Sequence, residues 1–185
     1  MNRSPTSIVR IAIGICLTSI LLMAVMPVSH ATYWNGGMWL ASFSVKPYSY
    51  NNQWQPGMDA ALASWNATST KATITKSTSG KGTIYASSYP DSWFGMYAYS
   101  GPRDASRTFT IKLNSRTIVA QQKSYPGSGH KNWVTAVFVH ELGHALSLAD
   151  NPSTTSASIM KYRNDYTNWV NPQGYDINDV RSTYP

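Results

Sequence analysis

The chain has 185 residues, with 15 Lys and Arg against 8 Asp and Glu, a formal charge of +7 and a single cysteine. One cysteine excludes an internal disulfide framework, so the chain must rely on a hydrophobic core, which at this length suffices. The basic residues are scattered and carry no recognition motif, which argues against nucleic acid as a partner; weak association with an anionic cell envelope, or a preference for acidic substrates, fits the charge better.

Residues 1–31 read as a secretory signal peptide: Arg3 and Arg10 form the positive end, 11–26 is apolar, and Ser29-His30-Ala31 is a cleavage tripeptide. The apolar run is broken by Thr18 and Ser19 and is short for a membrane span of about 20 residues. Cleavage would remove Cys16 and leave one secreted, extracellular domain over 32–185 without a substantial propeptide.

Within that domain, 39–46 alternates as a strand and 47–52 is rich in turn residues. A helix is predicted from Pro56, which sits at a permitted helix start, with Met58, Ala61, Leu62 and Trp65 recurring on one buried face. Alternation returns over 72–76, 83–86, 94–99 and 109–113, with Gly, Pro, Ser and Asp between, and these read as strands. Val134, Val137, Phe138, Leu142 and Ala145 make the apolar stripe of a second long helix. Asp176, Ile177, Val180 and Tyr184 mark a last helix, in which Asp176 and Asp179 read as capping or solubilising residues. No internal repeat is present.

The second long helix carries His140-Glu141-Leu142-Gly143-His144. Histidines four apart share a helix face, so both imidazoles can reach one metal ion, with Glu141 beside it as a base for an activated water. Composition sharpens the reading: Glu141 is the only glutamate, and only His30 and His130 lie outside the motif. His130 is more than two turns upstream and reads as a helix-start or surface residue. With no second glutamate, the third ligand must be another group. Asp150 can serve only if the helix stops soon after His144, and Asp150-Asn151-Pro152 supplies a break.

The pentad, Asp150 ten residues after His140, and Ser158-Ile159-Met160-Lys161-Tyr162 together resemble the metzincin zinc proteases, in particular a small snapalysin-like or matrixin-like type with aspartate in place of the third histidine. Ser147 stands where that pattern has glycine in a left-handed turn. The resemblance implies an α+β zincin fold of metzincin type: a mixed twisted sheet with two helices, one of them the zinc-binding helix, and a C-terminal helix in a smaller lower half. It also implies one catalytic zinc on His140, His144 and Asp150, Glu141 as general base, Met160 beneath the ligands and Tyr162 stabilising the oxyanion. Phe94 to Tyr99 would be the edge strand that takes an extended polypeptide substrate, or else an ordinary inner strand. Tyr166, Trp169 and Asn171 would wall the pocket after the scissile bond.

A monomeric endopeptidase is therefore expected. Calcium is not indicated, since few carboxylates cluster. Two other readings share the metal: a secreted cell-envelope or sugar-binding protein with a structural zinc site, using the many Tyr and Trp, and a zinc hydrolase of cell-wall peptide.

Overall fold

The computed structural model describes residues 33–48, 52–124, 129–162 and 169–185. The expected signal peptide and Tyr166 lie outside them. Five strands, β1 (Ser42–Pro47), β2 (Thr73–Lys76), β3 (Gly82–Ser87), β4 (Gly95–Ser100) and β5 (Thr108–Asn114), form one sheet in the order β2-β1-β3-β5-β4. The pairs β1 with β2, β1 with β3 and β3 with β5 are parallel, whereas β4 runs antiparallel to β5 at the sheet edge. Side chains of a strand alternate between faces, and here Phe43, Val45, Ile74, Ile84, Phe109, Ile111 and Leu113 fill the covered face.

Helix α1 (Gln55–Asn66) has Pro56 in its first turn, where a missing backbone N–H costs nothing, and buries Met58, Ala61, Leu62 and Trp65 as the spacing predicts. It packs on α3 (His130–Ala145), the helix of the histidine pair. Gly57 permits the close approach, since a Cβ there would lie 2.6 Å from the Val134 Cβ. The buried Trp65 indole donates to the Val139 carbonyl at 3.0 Å. Truncating Trp65 to alanine would cost about 3–5 kcal/mol by the usual large-to-small penalty, so the α1–α3 contact is a principal brace of the site helix.

The expected architecture is corrected in two respects. Besides α1, α3 and the C-terminal helix α4 (Gly174–Thr183), a further helix α2 (Ser115–Ser124) lies between β5 and α3, giving four helices among the described residues. Only Ile118 of α2 is buried, so no apolar stripe marked it in the sequence. Nor does α4 belong to a separate smaller half: Val180 and Tyr184 join the same core cluster as the sheet, α1 and α3.

Candidate metal centre and cleft

His140 and His144 occupy the last turn and a half of α3. Their Nδ1 atoms lie 2.7 Å from the Ile159 carbonyl and 2.8 Å from the Leu148 carbonyl. A carbonyl only accepts, so each Nδ1 carries a proton and each Nε2 faces outward. Both Nε2 atoms face Asp150 Oδ1, at 3.2 Å for His140 and 3.5 Å for His144.

The chain turns Asp150 back to the histidines through the helix end. Ser147 N–H bonds the His144 carbonyl and Leu148 N–H bonds the Gly143 carbonyl, both at 3.0 Å, the paired bonds of a Schellman cap. Such a cap needs a left-handed residue, and Ser147 has φ of 65°. Glycine would adopt it without the strain of about 1–2 kcal/mol that a Cβ brings. Serine instead supplies a buried hydroxyl, bonded to Tyr184 Oη at 2.9 Å and to Arg103 Nη2 at 3.3 Å.

Beneath the histidines, Met160 is fully buried, and a Cβ on Gly143 would meet its sulfur at 2.6 Å. The turn holding Met160 hangs from Asp176, whose carboxylate accepts from Ser158 Oγ at 2.6 Å, Ile159 N at 3.0 Å and Gln173 N at 2.8 Å. Asp176 therefore caps α4 as expected. It is not a solubilising residue, however: it and Asp179 are buried, and Asp176 fixes the backbone whose carbonyl orients His140.

A cleft of about 660 Å³ opens over these groups, lined by Glu141, Asp150 and both histidines together with Trp34, Trp93, Phe94, Gly95, Lys161 and Tyr162. Edge strand β4 forms its rim directly above Glu141. Tyr162 is 60% exposed and its Oη donates to Asp150 Oδ2 at 3.1 Å. Among the described residues expected to wall a pocket, neither Trp169 nor Asn171 lines this cleft. Trp169 lies beside Lys161 instead, and Asn171 accepts from Ser64 Oγ of α1 at 2.5 Å. His130 begins α3 away from the metal cluster, with Nδ1 3.0 Å from Gln122 Oε1 and its ring edge-on to Trp54.

Sequence reading missed Trp34. Its segment lies over the end of α3, with Trp34 N–H bonded to Ser147 O at 2.9 Å and Met38 N–H to Ala145 O at 2.8 Å. The indole stands edge-on to His144 at 5.3 Å and to Tyr97 at 5.5 Å. Buried Arg107 holds this segment by donating to the Gly37 carbonyl at 2.7 Å, while Tyr97 Oη donates to Gly36 O at 3.0 Å. No periodicity marks such an irregular segment.

The electrostatics are those of three donors sharing too little charge. Burial lowers both histidines, but for His140 the contact with Asp150 and the charge of Glu141 prevail and push it up to about 9. Burial, with the neighbouring His140 cation, pushes His144 down to about 4. Beyond the proton on each Nδ1, the one additional proton therefore belongs to Nε2 of His140, the ring closer to Asp150. Burial pushes Glu141 up to about 7.

The donor set fits a zinc ion. His140, His144 and Asp150 offer ligand atoms within 4.8 Å of one another. Bonds of about 2.0–2.2 Å in a tetrahedron place ligand atoms about 3.3–3.6 Å apart, and the two Nε2 to Oδ1 separations are 3.2 and 3.5 Å. Asp150 Oδ1 is buried and makes no hydrogen bond of good geometry, a cost that a cation would remove. Two imidazoles and one carboxylate are three ligands, one fewer than the four that would close a structural zinc site.

No family model matches the chain, and no curated protein matches it. Among solved structures, the chain is similar to one from the GM1-bound form of the ECX AB5 holotoxin, with a TM-score of 0.51 and 13% sequence identity, covering 82% of this chain and 86% of that one. At that identity the likeness concerns the fold alone, and together with the fourth helix and the undivided core it replaces the metzincin-type fold expected from the motif.

Proposed function

We propose that the protein is a secreted zinc-dependent endopeptidase. The observation that carries this reading is the convergence of His140, His144 and Asp150, with ligand atoms within 4.8 Å of one another, and with buried Glu141 beside them in an open cleft. Zinc held there would polarise a peptide carbonyl and acidify a water at neutral pH. Glu141 takes the proton from that water and delivers it to the leaving amine. Tyr162, held by Asp150, turns its hydroxyl to the developing oxyanion. The free edge of β4 supplies backbone donors and acceptors for an extended polypeptide. Secretion rests on the signal-like segment 1–31, and the chain acts as a monomer.

Zinc content and peptide hydrolysis, measured side by side for wild type and Glu141→Ala, test the proposal. Zinc in both with hydrolysis in wild type alone supports it. Absence of zinc from wild type refutes the site, and zinc without hydrolysis in either refutes the endopeptidase.

One observation favours a second reading, a secreted sugar-binding protein with a structural metal. The similar solved chain comes from a GM1-bound toxin assembly, and Trp39 and Tyr48 are exposed aromatics of the kind that stack on sugars. On this reading Glu141→Ala leaves binding to a glycan intact. Activity on cell-wall peptide fragments, with none on casein, would indicate the related hydrolase of cell-wall peptide.

A further inference from the structure

We infer that Lys161 makes the cleft selective for a carboxylate placed beside the scissile bond; this rests on the hydrolase reading above. Lys161 is the only lysine or arginine among the described residues lining the cleft, which it shares with Glu141 and the three donors. The chemistry proposed for the other charged groups leaves it unused. Asp150 is engaged by both imidazoles and by Tyr162, and Glu141 is assigned to the attacking water.

Lys161 is half-buried yet in no ion pair among the described residues. Its Nζ lies 5.8 Å from the centroid of the Trp169 ring, the outer limit of a cation–π contact, which leaves its three donors for another partner. Its neighbours place it at the cleft: Met160 is buried under α3, and the Tyr162 hydroxyl donates to Asp150. A cation at the wall of a cleft attracts an anionic group and disfavours a cationic one, and the excess of basic over acidic residues draws acidic substrates toward it. Two sources offer the carboxylate, an Asp or Glu side chain flanking the scissile bond or the substrate's own C-terminus.

The test uses zinc-loaded protein and fluorogenic peptides that differ only at the residue after the scissile bond (Glu, Ala or Lys, all C-terminally amidated). A second pair ends at that residue as free acid or amide. The readout is the ratio of kcat/KM within each set, so a general loss of activity does not count. Wild type is expected to favour Glu over Ala about tenfold. Lys161→Met should bring that ratio close to one, and Lys161→Glu should favour the Lys peptide. If instead the free acid is favoured over its amide and Glu is not, the terminal carboxylate is the group recognised. Equal rates across both sets in wild type, or a preference that survives Lys161→Met, would overturn the inference. Tryptophan fluorescence on zinc-free protein, titrated with the same peptides, separates the two ideas. Lys161-dependent binding of the acidic peptide to the zinc-free protein, with no cleavage of any peptide by the zinc-loaded protein, sinks the hydrolase and keeps the carboxylate site, whereas cleavage of the Ala peptide by the zinc-loaded protein without acidic preference does the reverse.

Discussion

Gly95 is where one added methyl group would separate catalysis from folding. On β4 it passes directly over Glu141, and a Cβ built on it would lie 2.8 Å from both Cγ and Cδ of that side chain, with Oε1 nearer still. Ordinary carbon contacts begin near 3.4 Å, so in Gly95→Ala the carboxylate must retreat by about 1 Å, and a misplacement of that size costs about a hundredfold in rate. That is about 2.7 kcal/mol of barrier. The stability change is smaller, because overpacking of about 1–3 kcal/mol is partly offset by the gain of about 0.5–1 kcal/mol when alanine replaces glycine in a strand. The assay is kcat/KM on a neutral peptide, alongside thermal unfolding and zinc content. Wild-type kcat/KM in a folded, zinc-loaded Gly95→Ala protein would refute the placement of Glu141 at the reacting atoms.

Tyr162→Phe removes a hydroxyl from a largely exposed ring, so unfolding should shift by no more than about 0.5 kcal/mol, while kcat should fall about 10²-fold or more with KM little changed if the phenol meets the oxyanion. Zinc binding should release about one proton in neutral buffer: His140 is raised to about 9 and is protonated there, whereas His144, lowered to about 4, is already neutral. Calorimetry in buffers of different ionisation enthalpy measures that proton, and none released near pH 7 would contradict the charge assignment. Ser147→Ala keeps the left-handed strain and loses the hydroxyl that joins Tyr184 and Arg103, a cost of about 1–2 kcal/mol in chemical denaturation; an unchanged midpoint would show that the hydroxyl contributes nothing.

The spacing of His140, Glu141 and His144 was legible because a helix converts a four-residue interval into adjacency, and the proline after Asp150 made a chain reversal readable. Helix α1 was legible for the same reason, as Met58, Ala61, Leu62 and Trp65 repeat on one face. The polar surface of α2 left no such trace. Gly95 gave no sign of its role, since its need for a missing Cβ arises from Glu141, 46 positions later. Asp176 read as a helix cap because local chemistry favours that, yet its strongest partners lie on the turn at Ser158 and Ile159, a tertiary fact. The metzincin-type fold was carried over from a motif of a few residues, and a motif constrains a site far more tightly than it constrains the architecture around it.

Tyr184 Oη donates to the Met38 carbonyl at 2.8 Å and meets Ser147 at 2.9 Å, so the end of α3 is closed by segments 146 positions apart in the chain. Contacts of that separation bear a large loop-closure entropy and form late in folding. The histidine pair needs only its helix, whereas the turn that leads to Asp150 is also held by the Trp34 segment and by Tyr184. The candidate site is therefore completed by the docking of distant segments rather than by its helix alone, and a change that loosened the Tyr184–Met38 contact would be felt at Asp150.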